Sequence, residues 1–195
     1  MCFTATTVFV EELSGDEESN QALAALIGRA DMKQEFLNYI GPEDSLAGYA
    51  RSYKLVLYKV FFSLMDSNGM APGYRVAEAF REFYVDRVRR GLKADIKVDS
   101  RIENINESSV QDVYEVILLN PLKHISDKGY LSRKRDSNGK EQFILNQELL
   151  KELTKEDIAD ILAVVNQKLD LYYSRVDRNE YDMTLHDLVY RWMDG

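Results

Sequence analysis

The sequence predicts a mainly α-helical domain carrying a winged-helix-like β-hairpin, with a possible N-terminal β-strand. Apolar residues recur at helical spacing through most of the 195-residue chain. One strand–turn–strand pattern spans Tyr130–Leu145, and three prolines leave long stretches without a breaker. A composition 45% hydrophobic and 30% charged is enough for a sizeable core and excludes collagen-like or wholly disordered classes. No apolar run approaches the roughly 20 residues that a bilayer needs, so no membrane is expected.

The elements follow in order. Phe3–Val10 (FTATTVFV) is rich in β-branched residues and reads as extended. An acidic loop follows over Glu11–Asn20. Two short helices follow, over Asn20–Gly28 and Asp31–Ile40, the second closed by Gly41-Pro42. Ser45–Asp66 is apolar on nearly every side, with Ser52, Lys59, Ser63 and Asp66 as its only polar stripe, which predicts a central helix. It stops at Ser67-Asn68-Gly69, and Gly73–Arg90 forms the next helix on Val76, Phe80, Phe83 and Tyr84. Lys93–Glu107 reads as a long polar connection.

Ser109-Val-Gln-Asp112 resembles a capping box opening a helix buried through Val113, Tyr114, Ile117 and Leu118. Asn120-Pro121 is expected to end that helix and start a short one, with Asn120 as N-cap and Pro121 as first helical residue. Asp136-Ser-Asn-Gly139 between two basic or apolar runs predicts a hairpin. The same tetrapeptide occurs at 66–69, where shared turn chemistry accounts for it. After Asn146 come a short helix through Leu149 and Leu153 and a long one from Thr154. The tail, polar from Asp177, becomes amphipathic near Leu185, Leu188, Val189 and Trp192. These elements divide into an N-terminal segment 1–44, a helical domain with the hairpin at 45–176, and a tail helix at 177–195.

The net charge of −8 argues against a general nucleic-acid coat. The basic residues are nevertheless clustered. Asn120–Lys140 holds six bases against two acids, and Arg81–Lys93 holds five against two. Arg87, Arg89 and Arg90 fall in the last turn of a helix, where cations oppose its dipole. One cysteine, Cys2, permits no internal disulfide and suits a reducing, cytoplasmic setting; the start Met1–Val10 lacks a basic flank and does not read as a signal peptide. No phosphate loop, dinucleotide fingerprint, HExxH or GxSxG pattern is present. Asp16-Glu17-Glu18 reads as a solvated turn, and neither Cys2 nor His186 has a placed catalytic partner. No cofactor or metal is expected.

The positive signal is the helix–hairpin stretch. Leu122 and Ile125 anchor a short helix, leaving Lys123, His124 and Lys128 outward, while the hairpin presents Arg133, Lys134, Arg135 and Lys140. A helix of this kind fits the roughly 12 Å major groove, with wing guanidiniums reaching phosphates. These seven residues are the candidate nucleic-acid contacts.

Ala50-Arg-Ser-Tyr-Lys-Leu-Val-Leu57, Phe80-Arg-Glu-Phe-Tyr84, Leu119-Asn-Pro-Leu122, Lys128-Gly-Tyr130 and Tyr172-Tyr173 together resemble a segment of large bacterial superfamily II helicases. In those DEAD/DEAH-box proteins of restriction and phage defence the segment follows the motor core, and some of them carry phospholipase-D-type nuclease domains. The resemblance covers roughly Leu46–Arg178. This chain has no phosphate loop, helicase acid box or H-x-K nuclease motif. The resemblance therefore implies an accessory module, with DNA and a helicase or nuclease subunit or domain as partners. The expected function is a non-catalytic nucleic-acid-contacting domain. A protein–protein adaptor and a metal-dependent hydrolase or nuclease are the alternatives.

Overall fold

The computed structural model describes residues 32–96 and 98–193, with 179–193 described as backbone alone. The expected strand at Phe3–Val10, the first short helix, the acidic turn at 16–18 and Cys2 lie outside that range. Among the described residues the fold is mostly helical, with one small antiparallel sheet.

Helix α1 (32–40) ends where Gly41, at φ 73°, gives its N–H to Leu37 O at 2.8 Å. Helix α2 (Tyr53–Leu64) is the core: eight of its twelve residues are buried, and it packs on α3 and α7. It begins eight residues later than its apolar pattern predicts. Residues 45–52 instead form tight turns through Gly48 at φ 81°, with Tyr49 N–H on Leu46 O at 3.0 Å. Ser52 is a second correction. Its place on the polar stripe predicts exposure, yet it is fully buried, because a polar network described below satisfies it.

Strand β1 (Met70–Pro72) leads directly into α3 (Gly73–Arg89). The connection after α3 is not simply polar and exposed. It holds a short 3-10 turn at Ser100–Ile102 and buries Ile102, Ile105 and the carboxylate of Asp95.

Helix α4 (Val110–Ile117) opens with the expected capping box, Ser109 Oγ accepting from Asp112 N–H at 3.1 Å and Asp112 accepting from Ser109 N–H at 3.0 Å. No break follows at Asn120-Pro121. A single wide π turn, Leu118–Leu122, carries the chain into α5 (Lys123–Ser126), so Asn120 caps nothing. The reason lies in the proline: it lacks an N–H and its ring clashes with the carbonyl four residues back, and widening one turn relieves both without ending the helix.

Strands β2 (Leu131–Arg135) and β3 (Glu141–Leu145) form the expected hairpin, and β3 also pairs with β1, giving the order β1-β3-β2. Leu131 faces Leu145, while Arg133 and Ala71 both register on Phe143, so Phe143 sits at the buried centre of the sheet. Helix α6 (Gln147–Glu152) is capped by Asn146, whose side chain accepts from Glu148 and Leu149 N–H. Helix α7 (Lys155–Met193) buries Ile161, Val165, Leu169, Tyr172, Tyr173 and Val176. Its backbone runs on without interruption past 177, and the side chain of His186 is outside those described.

A buried polar node ties these parts together. Asp95 Oδ2 accepts from Ser52 N–H at 3.0 Å and from Ser52 Oγ at 2.5 Å. Its Oδ1 accepts from Ile96 N–H at 2.7 Å and from the Tyr172 hydroxyl. Having given its proton to Asp95, Ser52 Oγ is free to accept from Tyr84, 2.7 Å away. Tyr173 OH donates to Ala94 O at 2.9 Å. Asp95 thus caps α2 from 43 residues away, and its donors offset the cost of burying a carboxylate. Burial raises the Tyr84, Tyr172 and Tyr173 phenols well above the ordinary tyrosine value, keeping them as neutral donors.

Candidate nucleic-acid interface

All seven predicted contacts are exposed. Leu122 and Ile125 are buried, as their anchoring role requires, and this turns Lys123 and His124 outward on α5, with Lys128 in the turn that follows. Gly129 at φ 77° and Tyr130 N–H on Ile125 O at 3.3 Å close that turn and start β2. From Leu131 the strand runs outward, and at about 3.3 Å per residue Arg135 stands roughly 13 Å further along it.

The hairpin turn is built around Asp136. Its carboxylate accepts from Asn138 N–H at 2.8 Å and Lys140 N–H at 2.9 Å, while Gly139 N–H returns to Asp136 O at 3.0 Å with φ 74°. These backbone donors, Lys140 N–H first, hold the Asp136 carboxyl below its ordinary range. Asn138 has negative φ, so the loop is a turn followed by a left-handed glycine bulge and not the two-residue type with both centres left-handed.

Alternation separates the hairpin cations as expected: Arg133 and Arg135 share one face, and Lys134 has the other. What the sequence does not reveal is that both arginines converge on Glu141. Arg135 Nε lies 2.8 Å and Arg133 Nε 3.5 Å from its carboxylate oxygens. Arg135 in particular holds the Glu141 carboxyl below the usual range, so it is ionised and spends part of their charge. Among the described residues neither Lys134 nor Lys140 comes within ion-pair distance of a carboxylate, although the Lys140 charge helps to hold the Asp136 carboxyl low. Beside this face, Phe143, Tyr114 and Tyr74 stack outward from the core, with centroids 5.8 and 5.5 Å apart, and Tyr74 is half exposed.

The second basic cluster, on α3, is tied into the fold. Arg81 donates to Ser108 O and Asn106 O at 2.8 and 2.7 Å. Arg87 stacks 3.4 Å from the Tyr173 ring centre and pairs with Asp177 at 2.9 Å. Arg90 pairs with Asp86.

No protein-family model, curated protein or solved structure matches this chain. Among the described residues no group of three or more His, Cys, Asp or Glu side chains is placed to hold a metal ion, and no helix is long and apolar enough to cross a membrane.

Four of the seven candidate residues fall into two groups. Arg133 and Arg135 gather at Glu141 on the hairpin. His124 and Lys128 line a groove of about 590 Å³ whose opposite wall is the start of α2. That wall contributes Arg51 and Lys54, two cations the sequence reading did not select. Their signal was weak, because Arg51 lies in the turn before α2 and Lys54 in its first turn, and only the fold brings them to one wall.

Proposed function

We propose that this chain is a winged-helix-type, non-catalytic module that contacts nucleic acid as an accessory part of a helicase, restriction or phage-defence system. The observation that carries the reading is the order of the sheet. A short strand between two helices pairs with the return strand of a hairpin, which becomes the central strand, and that hairpin directly follows a surface helix bearing Lys123 and His124 with Lys128 in the turn after it. In this arrangement the α4–α5 helix lies against a groove of the duplex and the hairpin reaches its backbone. The helicase or nuclease partner rests on the sequence resemblance alone.

The two hairpin lysines make the sharper test. Changing Lys134 and Lys140 together to Ala leaves the melting temperature nearly unchanged, since both side chains are exposed and neither is within ion-pair distance of a carboxylate among the described residues. It reduces the slope of log affinity against log salt for a short duplex by about 2, one unit per lost phosphate contact. Removing Arg133 and Arg135 also unmasks Glu141, so affinity falls further than the loss of two contacts accounts for. If the parent chain binds neither single- nor double-stranded nucleic acid at low salt, the adaptor reading replaces this one. Leu119, 60% exposed on the π turn, is the residue such a partner would cover.

A further inference from the structure

We propose that the groove between α5 and the start of α2 is a binding site for one nucleotide, its phosphate on Arg51, Lys54 and Lys128 and its base edge on the Asn120 amide. Two of these cations are held ready without a counter-ion. Lys54 Nζ sits 4.7 Å from the Tyr49 ring centre and 5.2 Å from that of Tyr39, and Arg51 lies 5.6 Å from the centre of Tyr53. No carboxylate among the described residues reaches ion-pair distance of either. Asp99 is near enough to feel Arg51, but its two oxygens are taken by Arg101 at 2.9 and 3.0 Å.

Aromatic faces attract a cation but do not neutralise it. Lys54 is half-buried, and loss of water holds its ammonium below the ordinary lysine value. An entering anion relieves that cost. Lys128 and His124 stand on the facing wall, and Asp127 is the one carboxylate lining the groove, so three cations outweigh it.

The remaining groups suit more than a bare anion. Among the described residues the Asn120 side chain has no hydrogen-bond partner, and it offers both a donor and an acceptor, the pattern that pairs with a base edge. It stands in the groove because the helix widens through Leu118–Leu122 instead of ending at Pro121. A volume of about 590 Å³ lies within the range of small-ligand sites, roughly 300–1,000 Å³. The groove is open at Gly48, where even an added Cβ would come no closer than 4.0 Å to Lys54 Nζ.

A strand and a free mononucleotide present the same chemistry; the assignment leans on the nucleic-acid reading only in taking a strand as the source. The experiment uses the full chain. Amide NMR spectra are recorded with adenosine 5′-monophosphate, with inorganic phosphate and with a short single strand. Strand affinity is then measured for Lys54→Gln and Lys54→Arg. The expected result is that the nucleotide moves the amides of Gly48, Ala50, Asn120 and His124 and saturates at lower concentration than phosphate. Lys54→Gln weakens strand binding about tenfold, and Lys54→Arg restores most of it. Nucleotide that leaves those amides in place, or that binds no better than phosphate, overturns the assignment. The parent spectra decide this even if Lys54→Gln does not fold. A strand that binds with those amides unmoved and Lys54→Gln unaffected overturns the groove and spares the hairpin reading. Movement of the groove amides by the mononucleotide, with no strand bound, does the reverse.

Discussion

Gly69 and Gly139 occupy the last place of two copies of Asp-Ser-Asn-Gly, and the two copies fold alike. In each, the aspartate carboxylate accepts two backbone N–H groups, the glycine N–H returns to the aspartate carbonyl at 3.0 Å, and the glycine φ is 74°. Four residues therefore encode this turn locally, whether it joins a helix to a strand or two strands. Their surroundings differ. An added Cβ at Gly69 meets Leu150 Cδ2 at 2.9 Å, while at Gly139 it meets open space. Gly139→Ala should cost about 1–2 kcal/mol from the left-handed backbone alone. Gly69→Ala should cost about 1 kcal/mol more, from crowding against Leu150 and Leu145. Urea unfolding of the two variants separates these contributions, and equal losses would show that packing at Gly69 contributes nothing. At the same scale, the seven candidate contacts were legible as exposed cations because buried Leu122 and Ile125 set their orientation. Their pairing was not: Glu141 lies across the hairpin, and its hold on two arginines depends on strand register.

At the scale of elements, periodicity located most of the helices and the hairpin. The capping box at Ser109 was readable because it acts within three residues of itself. The start of α2 was not, since the group that caps it belongs to a distant loop. Pro121 was misread for a related reason: a proline ends most helices, but here its ring is buried and packing holds the helix together across one widened turn. Burial on most sides of α2, with Lys59 and Ser63 left toward solvent, was legible in the apolar pattern. Phe61 is fully buried and meets Phe62 edge-on at 5.4 Å. Phe61→Ala should destabilise the fold by about 3–5 kcal/mol, the usual cost of an aromatic-sized cavity. A thermal melt coinciding with the parent would place that ring outside the core.

Across the whole molecule, Asp95 joins segments that are far apart in the chain: Ser52 lies 43 residues before it and Tyr172 77 residues after it. A single loop carboxylate is therefore hydrogen-bonded both to Ser52 at the start of α2 and to α7. Such a node has a consequence in time as well as in energy. Contacts between distant segments form only after the loops between them have closed. The node is thus expected to assemble late, after α2, α3 and α4 have gathered locally. Asp95→Asn would leave several buried donors poorly matched, at a cost of about 3 kcal/mol. If the node forms after the transition state, nearly all of that loss appears as faster unfolding, about a hundredfold, with refolding almost unchanged. Stopped-flow refolding slowed by a similar factor would instead place Asp95 in the folding nucleus. On this account the carboxylate acts as a latch: it does little to guide the chain to its fold and governs how long the chain stays there.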